Sequence, residues 1–383
     1  MCFFCDLAHL FYIECRKYGL DTDYNGGYDM AEKFFLGGVT PSGFSTQLTE
    51  LVCSRQYFTY ILKGGAGTGK SSLMKKLADR FEQTENVTRY YCSSDPDSLD
   101  AVVLHSSKAV IVDGTAPHVF DPKYPGVCQK IVDLGFYWND AMLKADREKI
   151  IAACRLNKSF MSSAANCNKA LGNICTDIYS CAGEFLDEHK LESFAERFCR
   201  KLFGRSRGNR GKQSIRQLSV MTRFGYMTLS ETLENYLDIY LLDDSFFAAS
   251  DAFIRIAAKQ AQSRGYDVKL SPCLLFDGTV FEHLLIDEIG VAFVSADPLT
   301  RLSCKNAAKI NMSRFYDKAK MQPYKKRLKT DSTLAAALIN SSREMLDSAK
   351  LVHDEIESYY IKAMDFDALD RVCEDIAAQI LAK

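Results

Sequence analysis

Apolar residues along the chain switch twice from short strand-like runs to long stretches of helical spacing. Tyr57-Phe58-Thr59-Tyr60-Ile61-Leu62 is a β-branched and aromatic run, and the segment Ser72 to Phe81 behind it carries apolar side chains at helical intervals. This predicts a strand followed by a helix. Thr88 to Tyr91 reads as a further strand, and Lys108-Ala109-Val110-Ile111-Val112-Asp113 as a buried parallel strand ending in an acid. From Trp138, itself expected in the core, to Gly204 the pattern is mostly helical, and residues 299–383 repeat that character. The rhythm is that of an α/β protein with helical extensions.

The second half follows the first at an offset of 180 positions. Tyr60-Ile61-Leu62 meets Tyr240-Leu241-Leu242, and Leu73-Met74-Lys75 meets Phe253-Ile254-Arg255. With one residue inserted, Cys92 meets Cys273, Ala109–Val112 meets Gly290–Phe293 and Pro117 meets Pro298. Order and spacing carry this match, since identities are few, and they predict a tandem duplication.

What joins the first strand to its helix is chemically specific. Residues 64–71 read Gly-Gly-Ala-Gly-Thr-Gly-Lys-Ser, a complete phosphate-binding P-loop. Glycines let consecutive backbone N–H groups point inward at phosphate oxygens, and the following helix adds the positive end of its dipole. The expected nucleotide ligands are Gly64, Gly65, Ala66, Gly67, Thr68, Gly69, Lys70, Ser71 and Ser72. Lys70 would bridge the β- and γ-phosphates, while Ser71 and Asp113 hold Mg²⁺; Lys70 and Asp113 are the expected catalytic pair. Gly114 follows Asp113 where many fast ATPases carry a glutamate base, which favours slow hydrolysis or transfer to another acceptor. His118 is a candidate for orienting water or touching the γ-phosphate, or else an ordinary loop histidine. In Cys92-Ser93-Ser94-Asp95-Pro96-Asp97-Ser98, either Asp97 or Ser98 caps a following helix, or Asp95 contacts the metal or substrate. Lys123 is a further candidate phosphate contact.

In the second copy Gly64, Gly69, Lys70 and Ser71 become Asp244, Ala249, Ser250 and Asp251, and Asp113 is matched by Val294. Acids would repel phosphates there, so this unit is expected to be silent as a nucleotide site.

Composition narrows the setting. At 383 residues, 47% apolar and 25% charged, with a net charge of -1, the chain is that of a globular protein with no global field for nucleic acid or lipid. No apolar run reaches membrane-span length. Fourteen cysteines are scattered, and in a P-loop protein they are expected as buried reduced thiols in the cytoplasm. Cys2 and Cys5 form a lone CxxC. The Gly26-Gly27 codons can spell a ribosome-binding sequence upstream of Met30, so residues 1–29 are expected to be translated leader. Arg197 to Arg216 is the one strongly basic stretch, read as a solvated linker at 205–216 or, failing that, a nucleic-acid contact.

FFLGGVTPSGF (34–44), ILKGGAGTGKSSLMKK (61–76), CSSDPDSLDAVV (92–103) and AVIVDGTAPHVFDPKYPG (109–126) resemble an uncharacterised bacterial family of tandem P-loop ATPases. The resemblance runs from about Met30 to the C-terminus and implies ATP binding; family members can carry a P-loop in each half, from which this chain departs. The expected architecture is a P-loop NTPase fold of two tandem three-layer α/β units, 30–204 active and 217–383 degenerate. The expected function is an Mg²⁺-dependent ATPase acting with an unidentified protein or small-molecule partner. A small-molecule or nucleotide kinase and a non-hydrolysing nucleotide-gated binding module are the alternatives.

Overall fold

A computed structural model describes residues 31–53, 56–297, 299–300, 302, 304 and 307–382. Residues 1–29 expected as leader, the Cys2–Cys5 pair and Pro298 lie outside the described residues. In the first half, β1 (Glu32–Phe35), the hairpin β2 (Gly37–Thr40) and β3 (Gly43–Thr46), and α1 (Leu48–Val52) precede β4 (Phe58–Lys63) and α2 (Lys70–Phe81). Then come β5 (Val87–Tyr91), β6 (Leu99–Leu104), β7 (Ala109–Asp113), β8 (Gln129–Asp133), α3 (Asp140–Ala145), α4 (Arg147–Gly183) and α5 (Glu188–Leu202). The second half opens on β9 (Gln213–Ile215), the hairpin β10 (Ser219–Thr222) and β11 (Gly225–Thr228), β12 (Asp238–Asp243) and α6 (Ala248–Ser263). It continues with β13 (Val268–Pro272), β14 (Phe281–Ile286), β15 (Val291–Ala296), β16 (Ala308–Asn311), α7 (Lys318–Met321), α8 (Lys325–Ala363) and α9 (Phe366–Leu381).

The chain is α/β, with two six-stranded mixed sheets. One runs β1-β5-β6-β7-β4-β8 and the other β9-β13-β14-β15-β12-β16, the same order in each half. In both, an antiparallel strand (β6, β14) separates the first parallel pair from the rest. The helix after β4 buries Leu73, Met74, Leu77, Ala78 and Phe81; the helix after β12 buries Phe253, Ile254, Ala257, Ala258 and Ala261, the same positions moved by the sequence offset.

Alternation along the strands divides the core. On β7, Ala109 and Ile111 face α2, while Val110 and Val112 face a second apolar layer. That layer also takes Ala292 and Val294 of β15, Leu285 of β14 and Leu218 and Val220 around the second hairpin. The expected three-layer halves are therefore not formed separately. Long helices cover one face of each sheet, and an apolar layer shared by both halves covers the other.

The terminal helices cross between halves. α9 packs on α2, burying Leu369, Cys373, Ile376 and Ala377 against the first sheet's helical side. α5 packs on α6 in the same way. Trp138 bridges to Met364 and Tyr316 to Leu186, anchoring each exchanged helix at its start. Between them α4 and α8 run antiparallel, held by Asp177–Arg327, by Ser342 Oγ donating to Asn168 Oδ1 (2.8 Å) and by Asn157 Nδ2 donating to the Ala349 carbonyl (2.7 Å). Trp138 is half-buried beside Tyr360, with ring centroids 5.6 Å apart.

The basic stretch is exposed from Gly204 to Arg210, as expected of a solvated linker, but is tied down at several points. Arg207 stacks on Tyr266 at 4.5 Å and pairs with Glu288, the Gly211 N–H donates to the Gln262 carbonyl, and 213–215 form edge strand β9. Among the described residues every cysteine is a free thiol, and no helix is long and apolar enough to cross a membrane.

Candidate functional site

β4 and β7 are adjacent and parallel, in register from Phe58–Ala109 to Leu62–Asp113. Their C-terminal ends therefore deliver the 64–69 loop and the Asp113 carboxylate to one place, where open α/β sheets put their ligands. Gly69 caps α2 with φ 81°, and Gly67 has φ 69°. Both lie in the left-handed region that glycine enters without penalty. A side chain at Gly67 would also be blocked, because a Cβ there falls 2.7 Å from the Glu357 carbonyl of α8.

Lys70 Nζ curls into the loop, donating to the carbonyls of Gly64 (2.9 Å) and Gly65 (2.7 Å), with Asp113 Oδ2 at 3.6 Å. Asp113 Oδ1 accepts from the N–H and the hydroxyl of Thr115 (2.8 and 2.6 Å), which fixes the carboxylate and leaves Oδ2 facing the ammonium. Thr68 Oγ1 ties back to the Gly65 carbonyl at 2.8 Å. Ser71 Oγ accepts from the Leu99 N–H at 2.9 Å, and Ser72 is exposed one residue on.

The other candidates fall apart into different roles. Leu99 begins a strand, so Asp97 and Ser98 cap no helix; the Leu-Asp-Ala-Val-Val-Leu run is buried on both faces and lacks the alternation that marks a half-exposed strand. Asp95 accepts from Ser98 Oγ at 2.9 Å and faces Lys350 of α8 at 3.5 Å. His118 is buried with both ring nitrogens engaged, Nδ1 with Thr46 Oγ1 and Nε2 with Asp100 Oδ2, each at 3.1 Å. It ties Thr46 at the end of β3 to Asp100 of β6. Burial pushes the Asp100 carboxyl up, and its bond to His118 pulls it back. Lys123 is exposed, and its backbone N–H donates to Gln129 Oε1 at 2.7 Å.

Comparison of the chain with protein-family models, with curated proteins and with solved structures finds no match in any of the three.

The second loop makes the contrast. Phe247 keeps a positive φ of 66° at the position of Gly67, but α6 then begins two residues earlier than α2 does in its own frame. Asp244 is fully buried, its carboxylate accepting from the N–H groups of Phe246 (3.0 Å) and Ser250 (2.8 Å) and from the Tyr316 hydroxyl (3.0 and 3.1 Å). Tyr316 in turn accepts from the Ala249 N–H at 2.8 Å. A carboxyl group of the chain's own thus occupies amides of this loop, and burial pushes its pKa up. Asp251 pairs with Arg255 at 2.9 Å, and Asp243 with Lys309 at 3.0 Å. The expected match of Asp113 to Val294 is off by one. Asp238 pairs with Val291 as Phe58 pairs with Ala109, so Ser295 stands at the place of Asp113.

Residues of α8 that sequence reading did not single out close the first loop from outside. A Cβ on Gly65 would lie 3.1 Å from the Tyr360 ring, so the loop and helix touch directly. No signal in the sequence around Tyr360 or Glu357 marks them, because the contact depends on how the two halves fold onto each other.

Proposed function

We propose that the chain binds Mg-ATP through residues 64–72 and hydrolyses it, as a P-loop protein in which the second unit is a degenerate copy. The observation that carries this reading is Lys70 Nζ, enclosed by the loop carbonyls and 3.6 Å from Asp113 at the ends of adjacent parallel strands. Backbone N–H groups of the loop and the first turn of α2 would hold the phosphates, with Lys70 leaving the carbonyls of Gly64 and Gly65 to meet the β- and γ-oxygens. Ser71 Oγ and Asp113 are hard oxygen donors of the kind Mg²⁺ takes, and the metal would neutralise charge on the transferring phosphoryl group. The self-filled second loop supports a stoichiometry of one nucleotide per chain.

Gly114 favours a second reading, phosphoryl transfer to an acceptor. A Cβ there would collide with Ile61 Cγ2, so this position has no room for a glutamate base. Phosphate release without acceptor supports hydrolysis, and ADP formation only with acceptor supports transfer.

Lys70→Ala removes charge-assisted bonds worth roughly 1.5–3 kcal/mol. We expect the wild-type chain to be stabilised against heat by Mg-ATP, with calorimetry giving one site, and the variant to lose both. Unchanged stabilisation of the variant would overturn the assignment.

A further inference from the structure

Each half extends its hairpin turn onto the other. The turn of β2–β3 is Thr40-Pro41-Ser42-Gly43, and that of β10–β11 is Thr222-Arg223-Phe224-Gly225. The first docks on the loop after β13, where the N–H and hydroxyl of Ser42 donate to Asp277 Oδ1 at 3.0 and 2.7 Å, and Pro41 packs against Gly172 of α4. The second docks on the loop after β5, which hangs on Ser71 through the Leu99 N–H. There Arg223 lies 3.8 Å from Asp97 and 3.9 Å from Asp347 of α8, over the Phe224 ring.

Two features set Arg223 apart. Its ion contacts are longer than hydrogen bonds, one of them to a carboxylate that is 82% exposed, and its Nε is buried with no hydrogen-bond partner. Its counterpart in the first hairpin, Pro41, carries no charge and packs against Gly172 of α4. A cation is thus presented to the half that keeps Lys70 and Ser71, from a hairpin position that is apolar in the other copy.

We propose that Arg223, supplied by the second half, contacts the terminal phosphate of a nucleoside triphosphate held in the first, giving up Asp97 and Asp347 for it. The inference rests on the nucleotide reading of residues 64–72. Asp97 is two residues from Leu99, the partner of Ser71, so the loop after β5 leads from the phosphate loop to Arg223; along α8 the other carboxylate, Asp347, is ten residues (about 15 Å of helix) before Glu357 at Gly67. A phosphate offers a guanidinium the paired acceptors that Asp97 and Asp347 do not. Binding of the triphosphate would thereby tie the second hairpin to the first sheet, and a diphosphate would not.

Titration calorimetry of the full chain with Mg-ADP and with the non-hydrolysable Mg-AMP-PNP separates the outcomes. Arg223→Ala should weaken AMP-PNP at least tenfold while ADP affinity stays within twofold. Asp97→Asn, which removes the competing carboxylate, should tighten AMP-PNP two- to fivefold; a gain of affinity cannot arise from misfolding. Arg223→Ala with an unchanged ratio of the two affinities, or with equal loss of both, would overturn the inference and leave the phosphate loop standing. A wild-type chain that binds neither nucleotide would overturn the underlying reading as well.

Discussion

Glu282 on β14 and Asp297 just after β15 are buried acids whose charges repel each other, and each keeps one carboxyl oxygen without a hydrogen-bond partner. Burial first, and Asp297 second, push the Glu282 carboxyl up to about 8; burial pushes Asp297 up to about 6. Glu282 accepts from the Tyr226 hydroxyl at 2.6 Å, beside the Cys273 thiol, which burial raises well above its ordinary value. The folded chain therefore holds the Glu282 proton that the unfolded chain releases above the ordinary value of 4.5. More protons bound in the folded state means that stability falls as pH rises, here from about 4.5 to about 8. Glu282→Gln should remove this slope, so that the wild-type melting temperature drops relative to the variant between pH 5 and 8. Parallel melting curves across that range would show that the acid is not protonated in the fold.

At the scale of elements, α9 belongs to the end of the chain but to the core of the first half. Ile376, 2% exposed, packs with Leu77 and Phe81 of α2 in one apolar cluster. Ile376→Ala should cost about 2–4 kcal/mol, whereas Leu381→Ala, at a residue 64% exposed, should stay within about 0.5 kcal/mol. Trp138, the single tryptophan, sits where α9 is anchored, so its fluorescence reports the unfolding. The helix itself was legible in the sequence, as were α2, α6, β4, β7, β12 and β15, because periodicity states which face of an element is apolar. Periodicity does not state what covers that face. The exchange of α5 and α9, the shared layer between the sheets and the approach of Tyr360 to Gly65 all depend on contacts between distant segments. The loop of 64–71 was legible for the opposite reason, since its geometry is written in adjacent residues. β6 was misread because Asp97 and Ser98 are good cap residues and the buried strand after them shows no alternation. The fate of Asp244 was half legible: its charge argued against phosphate, but that it fills the loop amides itself depends on Tyr316, far along the chain.

For the whole molecule, these contacts predict that neither half stands alone. Residues 31–204 expressed without the remainder lack α9 and the second sheet's side of the shared layer, and residues 213–382 lack α5. Each piece should be insoluble or molten by circular dichroism. Co-expression should return a one-to-one complex with a cooperative melt; an independently folded piece of either kind would contradict the packing described. Two half-chains of one strand order that trade their last helices have the form of a swapped homodimer. A chain descended from the fusion of two such subunits inherits both partners on one polypeptide and cannot dissociate. From that moment the two loops are no longer bound to change together. One can diverge as far as Asp244 and Phe247, yet its half cannot be deleted, because it still carries the helix, the hairpin and the sheet face against which the other half packs.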